Sequence, residues 1–410
     1  MSQNLSIAYL NQHLLEHPKL LPVLNDIDTK LPGLVHGRNE FIQGYIPAFY
    51  NRVGKNTMFC KNPGTFNFTQ PVVDYSKVFT QTFDQVSDQR CIDLRASQWH
   101  KPWVIMWSGG IDSTVIITSI LRNISPADFK NIQIWCNSTS VYENPKFFLD
   151  HIQPNFEVIF DPDVAYMYHD VFLFAGESEY VLGNYSWNRI YADQSGFDKS
   201  GRDLFWADNR DHMITQLNAI GWPSASKNKF SNWLYNILEE NIRSTGLPIQ
   251  TISEWYWWIL FNHQFGGQIM FNVDQHCVKE NHSRYIENFV PWFHGAGYQQ
   301  WGIHNLNNIV RTKNKSIGKQ YIHTVLKDEN YLNFKTKVDS NNRPANRVWF
   351  IKNLPHQMEH RPRTWDIDFV QDDRIFCVLT NNELLYLDQD FDRIAELLPD
   401  HINLDSLDYL

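Results

Sequence analysis

The stretch WVIMWSGGIDSTVIITSILRNI, residues 103–124, decides the fold of this 410-residue chain. Its apolar start predicts a short buried strand over 103–107, and the two glycines that follow predict a tight turn. The apolar spacing after the turn predicts a helix that begins at Ser113 and Thr114. Because glycine has no Cβ, the backbone of this turn can approach a ligand closely. The N–H groups at the start of the helix favour an anion as that ligand.

The sequence that follows extends this unit into a sheet. Further strands are predicted over 132–136 and 156–160, with another apolar segment over 170–177 and helical segments between them. Strands and helices that alternate at this spacing predict an α/β fold with a Rossmann-like parallel sheet. Ligands of such sheets bind at the carboxyl ends of the strands, where the glycine-containing turns lie.

The remaining sequence predicts a different organisation on either side of this sheet. Residues 1–100 are expected to form an N-terminal region of short helices and irregular segments. Residues 101–340 are expected to form the α/β domain, which ends in a mostly helical region. Residues 341–410 are expected to form a small C-terminal β extension, in which 375–388 resemble a hairpin across Asn381 and Asn382.

The turn supplies groups that suit a nucleotide. The candidate ligands are Ser108, Gly109, Gly110, Ile111, Asp112, Ser113 and Thr114. The three hydroxyl groups are hydrogen-bond donors for phosphate. A carboxylate beside phosphate is repelled unless it holds a Mg²⁺ ion that bridges the phosphates, so Asp112 predicts a metal. The chain has no GxxxxGK[ST] motif, so this is not a Walker loop. We therefore expect ATP and Mg²⁺ at this turn.

SGGIDS, residues 108–113, resembles the pyrophosphate loop SGGxDS of the N-type ATP pyrophosphatases, the PP-loop superfamily. That superfamily includes asparagine synthetases, NAD synthetases and several tRNA-modifying enzymes. The resemblance implies that ATP is cleaved between its α and β phosphates. AMP is transferred to a substrate oxygen, and a nitrogen or sulfur nucleophile then displaces it.

A second segment is similar to the synthetase domain of the asparagine synthetases. AGESEYVLGNY, residues 175–185, resembles the family motif SGEGxDELFGGY with one residue missing. The resemblance implies nucleotide contacts at Gly176 and Glu177. It also implies that Glu179 is a metal ligand, in place of the aspartate of the family.

Two later segments continue the same resemblance. NFVPWFHGAGYQQWGI, residues 288–303, is similar to the proline turn and helix that precede the closing segment of the family. KQYIHTVLKDENYLNFKTK, residues 319–337, resembles that closing segment, KxxLR followed by RxK. The resemblance implies catalytic roles for Lys335 and Lys337, and Lys337 would stabilise charge on the reacting phosphate.

The resemblance implies an enzyme, an AMP-forming ATP-dependent ligase that makes an amide or other C–N bond on a small-molecule substrate. Glutamine-dependent asparagine synthetases begin with a nucleophilic cysteine, whereas the first cysteine here is Cys60. The segment before the turn is also too short for a glutaminase domain. We therefore expect no glutamine hydrolysis in this chain. Ammonia, an amine or a separate amidotransferase partner would supply the nitrogen.

Two other members of the superfamily stay as alternatives. A tRNA- or nucleobase-modifying enzyme would use the same loop. The net charge of −9 and the lack of paired zinc-binding cysteines argue against it, so a nucleic-acid partner is not expected. Residues 136–152 also resemble the sulfate-assimilation reductases, which need a reactive C-terminal cysteine. Cys377, the last cysteine in the chain, is the candidate for that role.

A cluster of cations precedes the closing segment. It consists of Arg311, Lys313, Lys315 and Lys319. These side chains could clamp a triphosphate or an RNA backbone, but we favour a solvated loop, the usual environment of lysine. The scattered cysteines suit reduced thiols and a cytoplasmic location. No run approaches 18 apolar residues, so we expect no membrane span.

Overall fold

The computed structural model describes part of the chain in detail. It covers residues 7–10, 76–136, 138–159, 171–176, 179–182, 204–219, 249–259, 288–311, 315–327, 376–379 and 384–401, with single positions between 232 and 261. Its strands are β1 (Ile7–Leu10), β2 (Trp103–Met106), β3 (Ile132–Trp135), β4 (Glu157–Ile159), β5 (Phe172–Ala175), β6 (Phe289–Pro291), β7 (Phe376–Leu379) and β8 (Leu384–Tyr386).

The helices are given in chain order. They are α1 (Phe83–Gln98), α2 (Ile111–Asn123), α3 (Ser138–Glu143), α4 (Pro145–Phe147), α5 (Glu179–Leu182), α6 (Arg210–Ala219), α7 (Ile252–Ile259), α8 (Ala296–His304), α9 (Leu306–Arg311), α10 (Ser316–Leu326) and α11 (Leu387–His401). Short 3₁₀ helices occur at Pro126–Asn131 and Trp292–His294, and a π-helical turn at Phe148–Ile152 follows α4. None of the helices in the described residues is long and apolar enough to cross a membrane.

The chain forms two compact units, each built from separate stretches of sequence. The sheet unit comprises Ser76–Asn184 and Glu287–Gln371. The second unit comprises Met1–Tyr75, Tyr185–Ile286 and Asp372–Leu410.

The sheet unit contains a five-stranded sheet in the order β4-β3-β2-β5-β6, and every neighbouring pair is parallel. This confirms the α/β fold with a parallel sheet, and the predicted strands fall on β2, β3, β4 and β5. The edge strand β6 was not predicted, because residues 288–303 were expected to form only a turn and a helix. The helix is present as α8, but the three residues before the 3₁₀ turn pair with β5.

The central strand β2 is buried on both faces. Trp103, Val104 and Ile105 have no exposed surface, as is usual where helices cover both sides of a parallel sheet. Burying an aromatic or branched aliphatic side chain contributes about 1.5–3 kcal/mol each. The short apolar run before the glycines therefore holds the turn on the most buried element of the unit.

Polar contacts hold α1 and α10 against α2. Ser119 of α2 donates to the carbonyl oxygen of Ser87 on α1 at 2.8 Å. Asp88 of α1 receives hydrogen bonds from Asn123 of α2 and from Tyr321 of α10, both at 2.9 Å. Because these groups are paired, the helices can bury polar side chains between them at little cost.

Arg90 of α1 holds the end of the edge strand. Its Nε donates to the carbonyl oxygen of Trp292 at 2.8 Å, and a terminal nitrogen donates to that of Pro291 at 2.9 Å. The guanidinium group satisfies two backbone acceptors where the short strand ends, and these charge-assisted bonds fix β6 beside β5.

The second unit contains an antiparallel sheet in the order β1-β7-β8. The pairing of β7 with β8 agrees with the predicted hairpin. Strand β1 lies within residues 1–100, for which only helices and irregular segments were expected. Its partner β7 lies more than 360 positions later in the sequence, so no local pattern could indicate the pairing.

Helix α7 of the second unit begins with a capping box. The Glu254 carboxylate accepts from the backbone N–H groups of Gln250 and Thr251 at 2.7 and 2.9 Å. The backbone N–H of Glu254 donates to the Thr251 hydroxyl at 3.3 Å. This arrangement satisfies N–H groups that a helix start otherwise leaves without partners. The helix buries Trp255 and Trp258 completely.

Candidate functional site

The carboxyl ends of β2 and β5 lie side by side in the middle of the sheet. After β2 the chain continues to β3 on one side, whereas after β5 it continues to β6 on the other. In open α/β sheets, ligands bind at this switch point, where neighbouring connections leave in opposite directions. The segment after β2 and Gly176 after β5 therefore flank the position where a ligand is expected.

We call residues 108–113 the glycine turn. Gly109 has a φ of +80°, which L-residues rarely adopt. A Cβ on Gly109 would also lie 2.2 Å from the carbonyl oxygen of Ser140 and 2.7 Å from the Cβ of Glu143. Only glycine satisfies both conditions, because it permits the positive φ and leaves room for the neighbouring segment.

Gly110 is the N-cap of α2, with extended φ and ψ of −71° and 168°. It has no side chain to cap the helix, and α2 begins at Ile111, two residues earlier than predicted. Asp112 and Ser113 therefore lie within the first turn of the helix. A glycine turn that leads into a helix N-terminus concentrates N–H donors and a positive partial charge, which favours an anion.

The hydroxyl groups of the turn also determine its shape. Ser113 Oγ accepts from the backbone N–H of Ser108 at 3.1 Å and donates to the Gly110 carbonyl oxygen at 3.3 Å. Ser108 Oγ lies 3.1 Å from Ser113 Oγ. Thr114 is fully buried, and its hydroxyl donates to the Gly110 carbonyl oxygen at 2.7 Å while accepting from the indole of Trp107 at 3.2 Å. Thr114 therefore stabilises the turn from inside the protein.

An ion pair lies at the start of α2. Lys315 Nζ is 2.5 Å from Asp112 Oδ2, and the side chains are 20% and 12% exposed, respectively. Lys315 is the N-cap of α10 and has left-handed backbone angles, φ 53° and ψ 39°. Lys315 was expected in a solvated loop, and this expectation was wrong because its ammonium group is held by the Asp112 carboxylate.

A glycine in α10 allows this approach. A Cβ on Gly318 would lie 2.9 Å from Leu182 Cδ1 and 3.0 Å from Ile111 Cγ2. The missing side chain lets the first turn of α10 pack directly against the start of α2 and against α5. Lys315 lies one residue before that turn and is thereby brought to Asp112.

The other predicted site residues differ in how far the structure describes them. Gly176 directly follows β5, and a Cβ there would lie 2.7 Å from the ring of Phe293, so close packing requires glycine. Glu179 is the first residue of α5, but its side chain lies outside the described part of the chain. Glu177, Lys335 and Lys337 also lie outside the described residues.

A buried amide that the sequence analysis did not single out lies close to the glycine turn. Asn144 is 1% exposed, and neither its side-chain nitrogen nor its side-chain oxygen has a hydrogen-bond partner. Its backbone N–H donates at 3.4 Å to the Ser140 carbonyl oxygen that packs on Gly109. A single Asn before a proline carries no motif, so the sequence offered no pattern from which to select it.

The described cysteines do not supply a reactive thiol. Cys136 follows β3 at the carboxyl edge of the sheet and is 3% exposed. Burial raises the pKa of the Cys136 thiol above its usual range, and burial raises the pKa of Cys91 to about 12. Thiolate is the reactive form, so both groups are inert near neutral pH. The side chain of Cys377 lies outside the described residues.

One carboxylate near the glycine turn, that of Asp112, could serve as a metal ligand if phosphate supplied other ligands. Within the described residues, no three His, Cys, Asp or Glu side chains form a cluster that could hold a metal by themselves. Mg²⁺ in nucleotide sites usually takes one or two protein carboxylates, and phosphate and water supply the other oxygens. The carboxylate of Asp112, in the first turn of α2, meets this requirement.

The fold and the site define an α/β protein with a glycine turn and a carboxylate–ammonium pair at the switch point of a parallel sheet. Comparison of the chain with protein-family models, with curated proteins and with solved structures finds no match.

Proposed function

We propose that this chain is an ATP-dependent, AMP-forming ligase similar to the synthetase domain of asparagine synthetases. The observation that carries the proposal is the glycine turn with the sequence SGGIDS, which leads into α2 at the switch point. The positive φ of Gly109 and the uncapped start of α2 support a role in binding the pyrophosphate end of ATP.

The proposed reaction has two steps. An oxygen of the acceptor, a carboxylate in the simplest case, attacks the α phosphorus of ATP while the bond to the β-phosphate oxygen breaks. Pyrophosphate leaves, and its charge is stabilised by the donors of the glycine turn and by the ammonium group of Lys315. The nitrogen of ammonia or an amine then attacks the carbonyl carbon of the acyl adenylate and loses a proton. The bond between that carbon and the phosphate oxygen breaks, and AMP leaves. The products are AMP, pyrophosphate and a new C–N bond.

The carboxylates and lysines have separate roles in this proposal. Asp112 would hold Mg²⁺ together with Glu179, and the metal would neutralise charge on the phosphates. Lys335 and Lys337 would stabilise the negative charge that develops at the α phosphate. The sequence resemblance supports the roles of Glu179, Lys335 and Lys337. The position of Asp112 in the first turn of α2, beside the glycine turn, supports its role.

The test is the identity of the products. The purified chain is incubated with Mg²⁺, ammonium and ATP labelled at the α phosphate, against pools of amino acids and other small carboxylates. We expect label in AMP and release of pyrophosphate in at least one pool. Formation of ADP and phosphate as the only products would refute the adenylation mechanism.

A matched pair of variants tests the site. Asp112→Asn keeps the size of the side chain but removes its charge, and it should abolish Mg²⁺-dependent binding of ATP. Asp93→Asn makes the same change on α1, where Asp93 accepts a hydrogen bond from Gln89 at 2.7 Å on the surface, and it should bind ATP like the wild type. Equal binding by both variants would count against the glycine turn as the nucleotide site.

A further inference from the structure

Lys315 is paired with one oxygen of the Asp112 carboxylate, the group that would hold the proposed metal. We propose that Lys315 keeps Asp112 from binding a divalent cation until a nucleotide is bound, so that cation and nucleotide bind together. This inference rests on the proposed function, because it concerns the same nucleotide site. It assigns to Lys315 a role in the order of binding that the sequence analysis did not.

The geometry of the pair makes Lys315 and the proposed metal ion competitors for the Asp112 carboxylate. The ammonium nitrogen lies 2.5 Å from Oδ2. A Mg²⁺ ion bound to the same oxygen would lie about 2.0–2.1 Å from it, so the two cations would be close neighbours. Both side chains are mostly buried, and repulsion between like charges is screened less there than in water. The positive charge of the ammonium group in this position therefore opposes the binding of a metal ion to Asp112.

The backbone limits where that ammonium group can go. Lys315 is fixed in left-handed backbone angles, and α10 is held against the start of α2 by the close contact at Gly318. The Lys315 side chain can therefore rotate about its own bonds, while its Cα stays beside the glycine turn. Phosphate groups bound at that turn would lie within its range and accept a charge-assisted hydrogen bond. This transfer would take the positive charge away from the Asp112 carboxylate and so favour binding of the metal ion there.

A purely structural ion pair predicts something different. If Lys315 only joins α10 to α2, its removal should lower stability and should not strengthen metal binding. If it blocks Asp112, its removal should strengthen metal binding in the absence of nucleotide. The measurement that separates these cases is the affinity for a divalent cation alone.

The experiment uses the full chain and Mn²⁺, whose free concentration is measured by electron paramagnetic resonance. Lys315→Met is compared with the wild type and with Lys327→Met. Lys327 is a matched control, since it has the same left-handed φ of 53° at the other end of α10 and is exposed. Without nucleotide, Lys315→Met should bind Mn²⁺ about 5- to 100-fold more tightly than the wild type, the usual range for coupled sites. Lys327→Met should bind Mn²⁺ like the wild type.

Two additional variants secure the interpretation. Adding Asp112→Asn to Lys315→Met should remove the gain, because the carboxylate that binds Mn²⁺ is lost. Lys315→Gly also removes the ammonium group but favours the left-handed backbone, so it provides the same test if Lys315→Met does not fold.

A second measurement separates this inference from the proposed function. Equilibrium dialysis with α,β-methylene-ATP reports nucleotide binding with and without Mn²⁺. The wild type should bind the analogue, and Mn²⁺ should strengthen its binding more in the wild type than in Lys315→Met. If nucleotide binds but Lys315→Met and Lys315→Gly leave the Mn²⁺ affinity unchanged, the role of Lys315 is refuted. If the wild type binds no analogue at any Mn²⁺ concentration, the proposed function itself is refuted.

Discussion

Replacing Gly109 with alanine places a methyl group where the structure leaves no room. The new Cβ would lie 2.2 Å from the Ser140 carbonyl oxygen and 2.7 Å from the Glu143 Cβ. The backbone angle adds a separate cost, because φ is +80°. Left-handed angles cost a residue with a Cβ about 1–2 kcal/mol, and an extra methyl in a packed site costs about 1–3 kcal/mol. Gly109→Ala should therefore lower the free energy of unfolding by about 2–5 kcal/mol.

Two other glycines separate these contributions. Gly246 has a φ of +66° and no atom within 4 Å of an added Cβ, so Gly246→Ala measures the cost of the backbone angle alone. Gly110 has a negative φ of −71°, and the nearest atom to an added Cβ is Ser108 Oγ at 3.3 Å. Its replacement should change stability by less than about 1 kcal/mol, because a weaker cap is offset by a less flexible unfolded chain.

The assay is equilibrium unfolding in urea, followed by tryptophan fluorescence and circular dichroism. The expected order of destabilisation is Gly109→Ala, then Gly246→Ala, then Gly110→Ala. The comparison of Gly109 with Gly110 is the strictest, because both lie in the sheet unit. If Gly109→Ala were no more destabilising than Gly110→Ala, this result would contradict the close packing of Ser140 against Gly109.

Two further predictions concern α1. Arg90→Met removes two charge-assisted hydrogen bonds to the end of β6 and should lower the free energy of unfolding by about 1.5–3 kcal/mol. Urea unfolding measures this change. A variant as stable as the wild type would contradict the role of Arg90 in holding β6. Burial raises the pKa of Asp84 from 3.8, and the positive charge of Arg122 opposes the shift only in part. A raised folded-state pKa means that the contribution of Asp84 to stability is present below its unfolded pKa and is lost as pH rises through the folded value. Asp84→Asn should therefore match the wild type near pH 3 and exceed its stability at pH 7 in thermal unfolding, and the reverse order would contradict the shift.

The sequence predicts those parts of the fold that are determined by residues close together in the chain. The run WVIM and the two glycines predict β2 and the turn, because burial and a positive φ limit which residues can occupy those positions. The antiparallel pair β7–β8 also has a local cause, because its two strands are close together in the sequence.

The parts that the sequence does not predict depend on distant partners. Strand β6 has three residues and becomes a strand only because β5 lies beside it. Lys315 carries no motif, and its position beside Asp112 follows from α10 packing against α2 at Gly318. The early start of α2 depends on Gly110 as an extended cap without a side chain, whereas propensity alone favoured Ser113 and Thr114 as the first helical residues.

The separation of Asp112 and Lys315 along the chain has a consequence for folding. The two residues are 203 positions apart, and a large stretch between them, Tyr185–Ile286, belongs to the second unit. The glycine turn and α2 lie next to each other in the sequence, whereas the ion pair requires the return of the chain to the sheet unit. Contacts of such high sequence separation form slowly, because a long loop must close first. During synthesis, Asp112 would therefore be present in the chain well before Lys315, the residue with which it forms its ion pair.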